Sequence, residues 1–404
     1  MDFSSLISHR STSINGSGIR RVFEIGAKIH DKIDLSIGQP DFAVPQAMRA
    51  AAIRAIDGGR NGYPLTRGVP ELREKIARSL HADLGWKTTE LPGCSDSHSG
   101  LFVTAGTTGA LMLASLALLD PGDEIIIPDP WFVLYPYMGT FANAVAVPCS
   151  TYPDFRLTAE RVEPLLSPRT KMILLNSPSN PAGVVSTERE CADLLDLCRR
   201  RGIILVSDEI YDEFTYEAFR TQPSASDPAK RRCPSPARLP GSQDNVLVIR
   251  GFGKTYGVTG WRLGYAAGPR PLIEEMVKLQ QYLYVSAPHP LQWGVIDAFD
   301  ADMTEHVREY ERRRSLVVDR LSPVTQVPAP GGAFYAFVKV PERLGYPEES
   351  AGERFFQRCV TERVLVVPGR TFSKRDTHFR LSYATPIENL ERGLDTLVRI
   401  MKNG

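Results

Sequence analysis

Six short apolar runs, Leu101 to Thr104, Glu124 to Pro128, Lys171 to Leu175, Ile203 to Ser207, Val246 to Ile249 and Gly264 to Ala267, are separated by longer segments. Several of those segments, such as Thr108 to Leu119, Thr187 to Arg201 and Pro271 to Tyr284, are amphipathic at helical spacing. Short runs rich in branched and apolar residues suit strands buried on both faces. Strands alternating with helices predict a mostly parallel sheet covered by helices. The last third reads differently. Helical segments Met303 to Leu321, Glu353 to Glu362 and Glu388 to Lys402 alternate with strand-like Ala333 to Val340, Val364 to Val367 and His378 to Tyr383, which predicts a smaller α+β domain. A ligand cleft between the two bodies is the default expectation.

A chain of 404 residues is long enough for two or three domains. The expected division is an arm with part of the small domain at 1–45, a large domain at 46–285 and a small domain at 286–404. Lysine and arginine number 48 against 47 acidic residues, so charge argues for neither nucleic acid nor membrane surface as partner. The six cysteines form no C-x-x-C pair and no metal-finger spacing, so reduced thiols and no metal are expected. The first ten residues are too polar for a secretory signal and no apolar run reaches membrane-spanning length, which points to the cytoplasm. Two polar inserts, 222–245 and 92–100, read as surface excursions.

Chemistry concentrates in Gly251-Phe252-Gly253-Lys254-Thr255-Tyr256-Gly257-Val258-Thr259-Gly260-Trp261-Arg262. Glycines at 251 and 253 leave room beside the Lys254 amine, and Arg262 can clamp a phosphate dianion bidentately. That suits a lysine bonded to a phosphate-bearing aldehyde, pyridoxal phosphate; a solvated lysine among turn glycines has the same local sequence. Thr104-Ala105-Gly106-Thr107-Thr108-Gly109-Ala110 follows a strand and opens a helix, so its N–H groups can cradle a phosphate, or make a plain turn. It is neither a Walker A loop nor a G-x-G-x-x-G fingerprint.

Asp208 ends a buried run, where a carboxylate points into the cleft of an open α/β sheet. It could keep a pyridine nitrogen protonated or cap the next helix, while Glu209 reads as a capping or solvated neighbour. Tyr211 and Asn180 are candidates for stabilising a ring oxygen as an anion, although Asn180-Pro181 is also a turn signal. Phe132, with Trp131 as its competitor, is the candidate for stacking on a flat ring. Arg380 sits among apolar neighbours and needs a carboxylate, either from a substrate or from a structural ion pair.

Taken in order, these segments resemble the class I/II aminotransferases of fold type I, aspartate aminotransferase-like. The likeness runs from Leu35-Ser36-Ile37-Gly38-Gln39-Pro40-Asp41-Phe42 through Tyr63 and Gly68-Val69-Pro70-Glu71-Leu72-Arg73 to Arg380-Leu381-Ser382-Tyr383-Ala384, roughly residues 33–400. It implies a seven-stranded-type sheet, pyridoxal 5′-phosphate as cofactor, and amino transfer from an L-amino acid to a 2-oxo acid, 2-oxoglutarate, by a ping-pong mechanism. It also implies roles for particular residues. Lys254 matches the Schiff-base lysine, Arg262 the phosphate arginine, and Thr107 and Thr108 the phosphate-binding amides. Asp208 matches the acid at the pyridine nitrogen, Tyr211 and Asn180 the pair at the ring oxygen, and Phe132 the stacking aromatic. Arg380 matches the residue that grips the substrate α-carboxylate, with Gly38 beside it. Tyr63 matches a tyrosine that reaches the phosphate held by a second copy, which implies a homodimer.

Gly253 departs from the serine many relatives carry before the lysine, so Arg262 and the amides of Thr107 and Thr108 carry more of the phosphate. A carbon–sulfur β-lyase or another fold type I lyase shares the same first proton abstraction, and a non-catalytic regulator shares the fold. For the substrate side chain, Arg20, Arg21, Arg67 and Arg370 are candidate partners of a second carboxylate, while Tyr282, Tyr284 and Tyr335 could form an aromatic wall. The arm before residue 33 packs across a partner or folds over the substrate.

Overall fold

In the computed structural model, which describes residues 3, 5–221 and 232–403, the chain enters through a helix Gly18–Gly26 and a two-residue strand β1 (Ile33–Asp34). Seven strands then build one sheet: β2 (Ser99–Thr104), β3 (Glu124–Asp129), β4 (Val145–Ser150), β5 (Thr170–Asn176), β6 (Ile204–Asp208), β7 (Val246–Gly251) and β8 (Gly264–Pro269). Their order is β2-β8-β7-β6-β5-β3-β4, and only β8 runs antiparallel to its neighbours. The six apolar runs fall on six of these strands. The seventh, β4, has no such run, because it is an edge strand with Val145 exposed and Pro148 in its middle.

Side chains alternate between two cores, as the pleat requires. Leu101, Ile126, Ile173, Leu205 and Val248 pack against Leu72, Ile76 and Leu194 on one face. Phe102, Ile127, Leu174, Val206 and Ile249 pack against Leu111, Tyr135 and Met276 on the other. This parity decides the fate of two adjacent acids. Asp208 continues the second face and bonds the Tyr135 hydroxyl, whereas Glu209 turns to the first and pairs with Arg250. The expectation of a capping or solvated Glu209 is therefore corrected: it is 2 % exposed, and its partner lies on β7, where local sequence cannot reveal it.

The insert at 222–245 needs a similar correction for the part that is described. Residues 222–231 lie outside the described residues, but Cys233 to Ala237 are buried under the sheet. Trp86 Nε1 donates to Ala237 O at 3.0 Å, and Arg238 Nη2 donates to Asp83 Oδ1 at 2.8 Å. Its polar composition serves a buried ion-pair network.

The last third adds β9 (Tyr335–Lys339), β10 (Val364–Leu365), β11 (Val367–Pro368) and β12 (His378–Ser382). The continuous run Val364 to Val367 divides between two sheets, since β10 pairs in parallel with β1 and β11 pairs antiparallel with β12. Helix Ala351–Thr361 packs on β11 and β12, helix Ile387–Asn403 on β1 and β10, and helix Thr304–Leu321 against Ile387–Asn403. Among the described residues no helix is long and apolar enough to cross a membrane.

Candidate active site

The carboxyl ends of β5, β6 and β7 lie side by side, with Asn176 opposite Asp208 and Asp208 opposite Ile249. Loops leaving those ends, the start of helix Gly106–Leu118, β12 and helix Gly18–Gly26 enclose a pocket of about 340 Å³. A cavity of about 410 Å³ lies nearby around Asp212, Tyr256 and Phe299. Size does not decide between them. Only the smaller one gathers Lys254, Asp208 and Arg380.

At one end the pocket is built for an anion. Gly106 opens the helix with φ +71°, and a Cβ there would stand 2.7 Å from Arg262 Nη2, so the backbone approaches the guanidinium as only glycine allows. Thr107 and Thr108 follow in the first helical turn, where N–H groups lack intrahelical partners and the dipole favours negative charge. Arg262, itself at φ +55°, donates through Nη1 to Thr259 O at 3.0 Å, which fixes its plane. These groups fit a phosphate.

Lys254 sits on the short helix Phe252–Thr255 directly after β7, and its Nζ donates to Gly38 O at 2.5 Å. Burial lowers its pKa to about 8, with the Arg380 and Arg262 charges acting in the same direction. A neutral, nucleophilic amine is therefore accessible near neutral pH.

Asp208 accepts from the Tyr135 hydroxyl at 2.8 Å and from Ile210 N–H at 3.3 Å. Burial pushes its carboxyl up to about 6, and none of the groups perturbing it is a cation. A buried carboxylate of that kind fits a protonated ring nitrogen as its missing counter-charge. Tyr211 and Tyr335 share a hydroxyl–hydroxyl hydrogen bond of 3.1 Å beside it. Asn176 Nδ2 donates to Asp208 O at 2.9 Å while its Oδ1 accepts from Asn180 N–H at 2.9 Å, so one side chain ties two strand ends. Phe132 lines the pocket edge-to-face with Tyr135, at 5.6 Å between ring centroids. Trp131 does not line it.

Arg380, on β12, is 1 % exposed. Nη1 donates to Asn180 Oδ1 at 3.1 Å and Nη2 to Ser36 O at 2.8 Å, Nε has no hydrogen-bond partner among the described residues, and the guanidinium lies over Tyr335 and Phe372. All its partners are neutral. A buried guanidinium without a carboxylate fits a carboxylate brought by a ligand. Gly38 faces the same spot, where a Cβ would meet the Tyr335 hydroxyl at 2.6 Å.

Other candidates fall elsewhere. Tyr63 is 87 % exposed and does not line the pocket of its own chain. Arg21 pairs with Glu353, Arg370 with Asp376, Arg67 approaches Glu274, and Arg20 is exposed. Tyr335 lines the pocket, whereas Tyr282 and Tyr284 do not. Sequence reading did not assign site roles to Tyr135 and Asn176, or to Ile19 and Phe23 of the arm, which also line the pocket. Tyr135 stands three residues after Phe132 at a helix start, a usable signal; Asn176 offered only its place at the end of an apolar run.

The profile of the family Aminotransferase class I and II matches residues 30–397. The chain belongs to this family. Class I and II aminotransferases similar to it include a probable aspartate aminotransferase of Methanocaldococcus jannaschii, 33 % identical over 98 % of this chain and 100 % of that one. An aromatic-amino-acid aminotransferase of Thermococcus litoralis is 30 % identical over 98 % of both. Among solved structures, the Thermus thermophilus aspartate aminotransferase with maleate superimposes with a TM-score of 0.85 at 33 % identity, covering 98 % of this chain and 99 % of that one. As a class I and II aminotransferase the chain is a fold type I enzyme, a transaminase that depends on pyridoxal 5′-phosphate.

Proposed function

We propose that this aminotransferase moves the amino group of an L-amino acid to a 2-oxo acid, with 2-oxoglutarate as acceptor, in a ping-pong cycle through a Lys254 Schiff base. One observation carries the reading: Lys254, Asp208 and Arg380 converge on one pocket, and neither buried charge, Asp208 or Arg380, has an opposite charge among the described residues. Pyridoxal phosphate, when bound, supplies an electron-withdrawing ring that stabilises negative charge at the substrate α-carbon.

Arg262 and the Gly106–Thr108 turn would hold the phosphate, and Phe132 would stack on the ring. Asp208 would hold a proton on the ring nitrogen, its charge set by Tyr135 and Ile210 N–H. Tyr211 and Asn180 would donate to the ring oxygen. Arg380 would orient the α-carboxylate, so that Lys254 Nζ, once free, can take the α-proton and return it at C4′. A second copy would complete the phosphate site through Tyr63, making the enzyme a homodimer, and its place would be the cytoplasm.

Amino acids are offered with and without 2-oxoglutarate, and 2-oxo acid formation is followed. Strict dependence on the acceptor is expected; release of pyruvate and ammonia without one would make the chain a lyase. Lys254→Ala should abolish turnover and the visible absorbance of the bound cofactor, and retained turnover would overturn the assignment.

A further inference from the structure

Resting on the amino-transfer reading, the walls of the same pocket specify the side chain of its substrate. On helix Gly18–Gly26, Ile19 and Phe23 lie one turn apart and both line the pocket. Ile37, 38 % exposed, lines it as well. Three partly exposed apolar side chains around one cavity favour an apolar group that removes them from water.

The cations around that space are already committed. Those lining the pocket are Lys254, Arg262 and Arg380, taken by the cofactor aldehyde, its phosphate and the α-carboxylate. Arg20 and Arg21 share the helix with Ile19 and Phe23 but do not line the pocket, and Arg21 donates through Nη1 to Glu353 Oε2 at 2.9 Å. A second substrate carboxylate would lose water against Ile19, Phe23 and Ile37 and gain no counter-charge from the described residues of this chain.

We infer that the side-chain subsite takes an uncharged apolar group, aromatic or branched aliphatic, and that Ile19, Phe23 and Ile37 set this specificity. The preferred donor is thus a hydrophobic amino acid and not aspartate. 2-Oxoglutarate meets the same wall in the return half-reaction, so as acceptor it should bind more weakly than an apolar 2-oxo acid, and the preference is read on the donor side.

The test titrates holoenzyme with two non-reacting acids, 3-phenylpropionate and succinate, and follows the cofactor absorbance. 3-Phenylpropionate should bind at least about tenfold more tightly, the scale of burying one aromatic side chain. Phe23→Ala should weaken it by about tenfold and change succinate binding by less than about threefold. Succinate binding equally well or better overturns the inference and reveals a cation delivered by a second copy. Should Phe23→Ala fail to fold, the wild-type pair of ligands still decides. The absorbance change on adding amino acids separates the two readings. If none of phenylalanine, leucine, valine and aspartate converts the cofactor, amino transfer itself fails; if aspartate converts it faster than all three apolar donors, amino transfer stands and the apolar subsite falls.

Discussion

Asp208 and Glu209 are neighbours in the chain, both nearly inaccessible to water, and they sit in opposite electrostatic worlds. On the Glu209 face the buried charges are paired, Arg250 facing Glu209, Asp83 and Asp212, although burial still raises the Asp212 carboxyl. Arg250 Nε donates to Glu209 Oε2 at 2.9 Å and its Nη1 to Asp83 Oδ2 at 2.7 Å, and Arg232 and Arg238 also pair with Asp83. Burial alone would raise Asp83, yet the Arg250, Arg238 and Arg232 charges hold its carboxyl below the usual carboxylate range. On the Asp208 face burial wins, and the carboxyl rises to about 6. Paired buried charges specify and hold structure, while buried charges left without an opposite partner mark the place where a charged ligand completes the protein.

That contrast breaks if the two acids respond alike to losing their charge. Asp208→Asn should lower kcat/KM by about a hundredfold to a thousandfold. The unfolding free energy of its apoprotein should change by less than about 1 kcal/mol, because no cation is orphaned. Glu209→Gln should do the reverse. It leaves Arg250 short of charge and should remove about 3 kcal/mol of stability in denaturant titration, with cofactor absorbance retained in the folded fraction. A stable Glu209→Gln protein would show that the network is not structural.

Arg380 offers a smaller version of the same test. Arg380→Gln should raise KM for the amino donor by about tenfold to a hundredfold without loss of apoprotein stability, since its partners are neutral oxygens. Destabilisation instead would mean that the arginine is structural. The smallest effect concerns pH. Only the neutral Lys254 amine attacks an aldehyde, so uptake of pyridoxal phosphate by apoprotein should rise with pH and reach half its maximum near 8. Burial is the main cause of that low value and the Arg380 charge the next, so Arg380→Gln should move the midpoint upward. A midpoint that stays put would remove Arg380 from the lysine's electrostatic surroundings.

Much of the fold was legible because buried strands leave a continuous apolar signal, as in Ile203 to Ser207. β4 left none, since an edge strand with Pro148 and an exposed Val145 needs neither continuity nor a full set of donors. Of the candidate site, the residues of unusual chemistry in unusual settings could be named: a lysine among glycines, an arginine among apolar residues, an acid closing an apolar run. Tyr135, Asn176, Ile19 and Phe23 are ordinary residues whose place at the pocket comes from distant segments meeting.

By itself the sequence determined the order of the buried strands and the helices between them, the positions of the chemically distinctive groups and the family, because periodicity and residue type are local properties. Only the tertiary structure decided which charges are answered. Whether Asp208 or Glu209 meets Arg250, whether Arg21 or Phe23 faces the pocket, and whether Arg380 finds a carboxylate all depend on groups brought together from far along the chain. Electrostatic interaction depends on distance in space and on the local dielectric, regardless of separation in sequence.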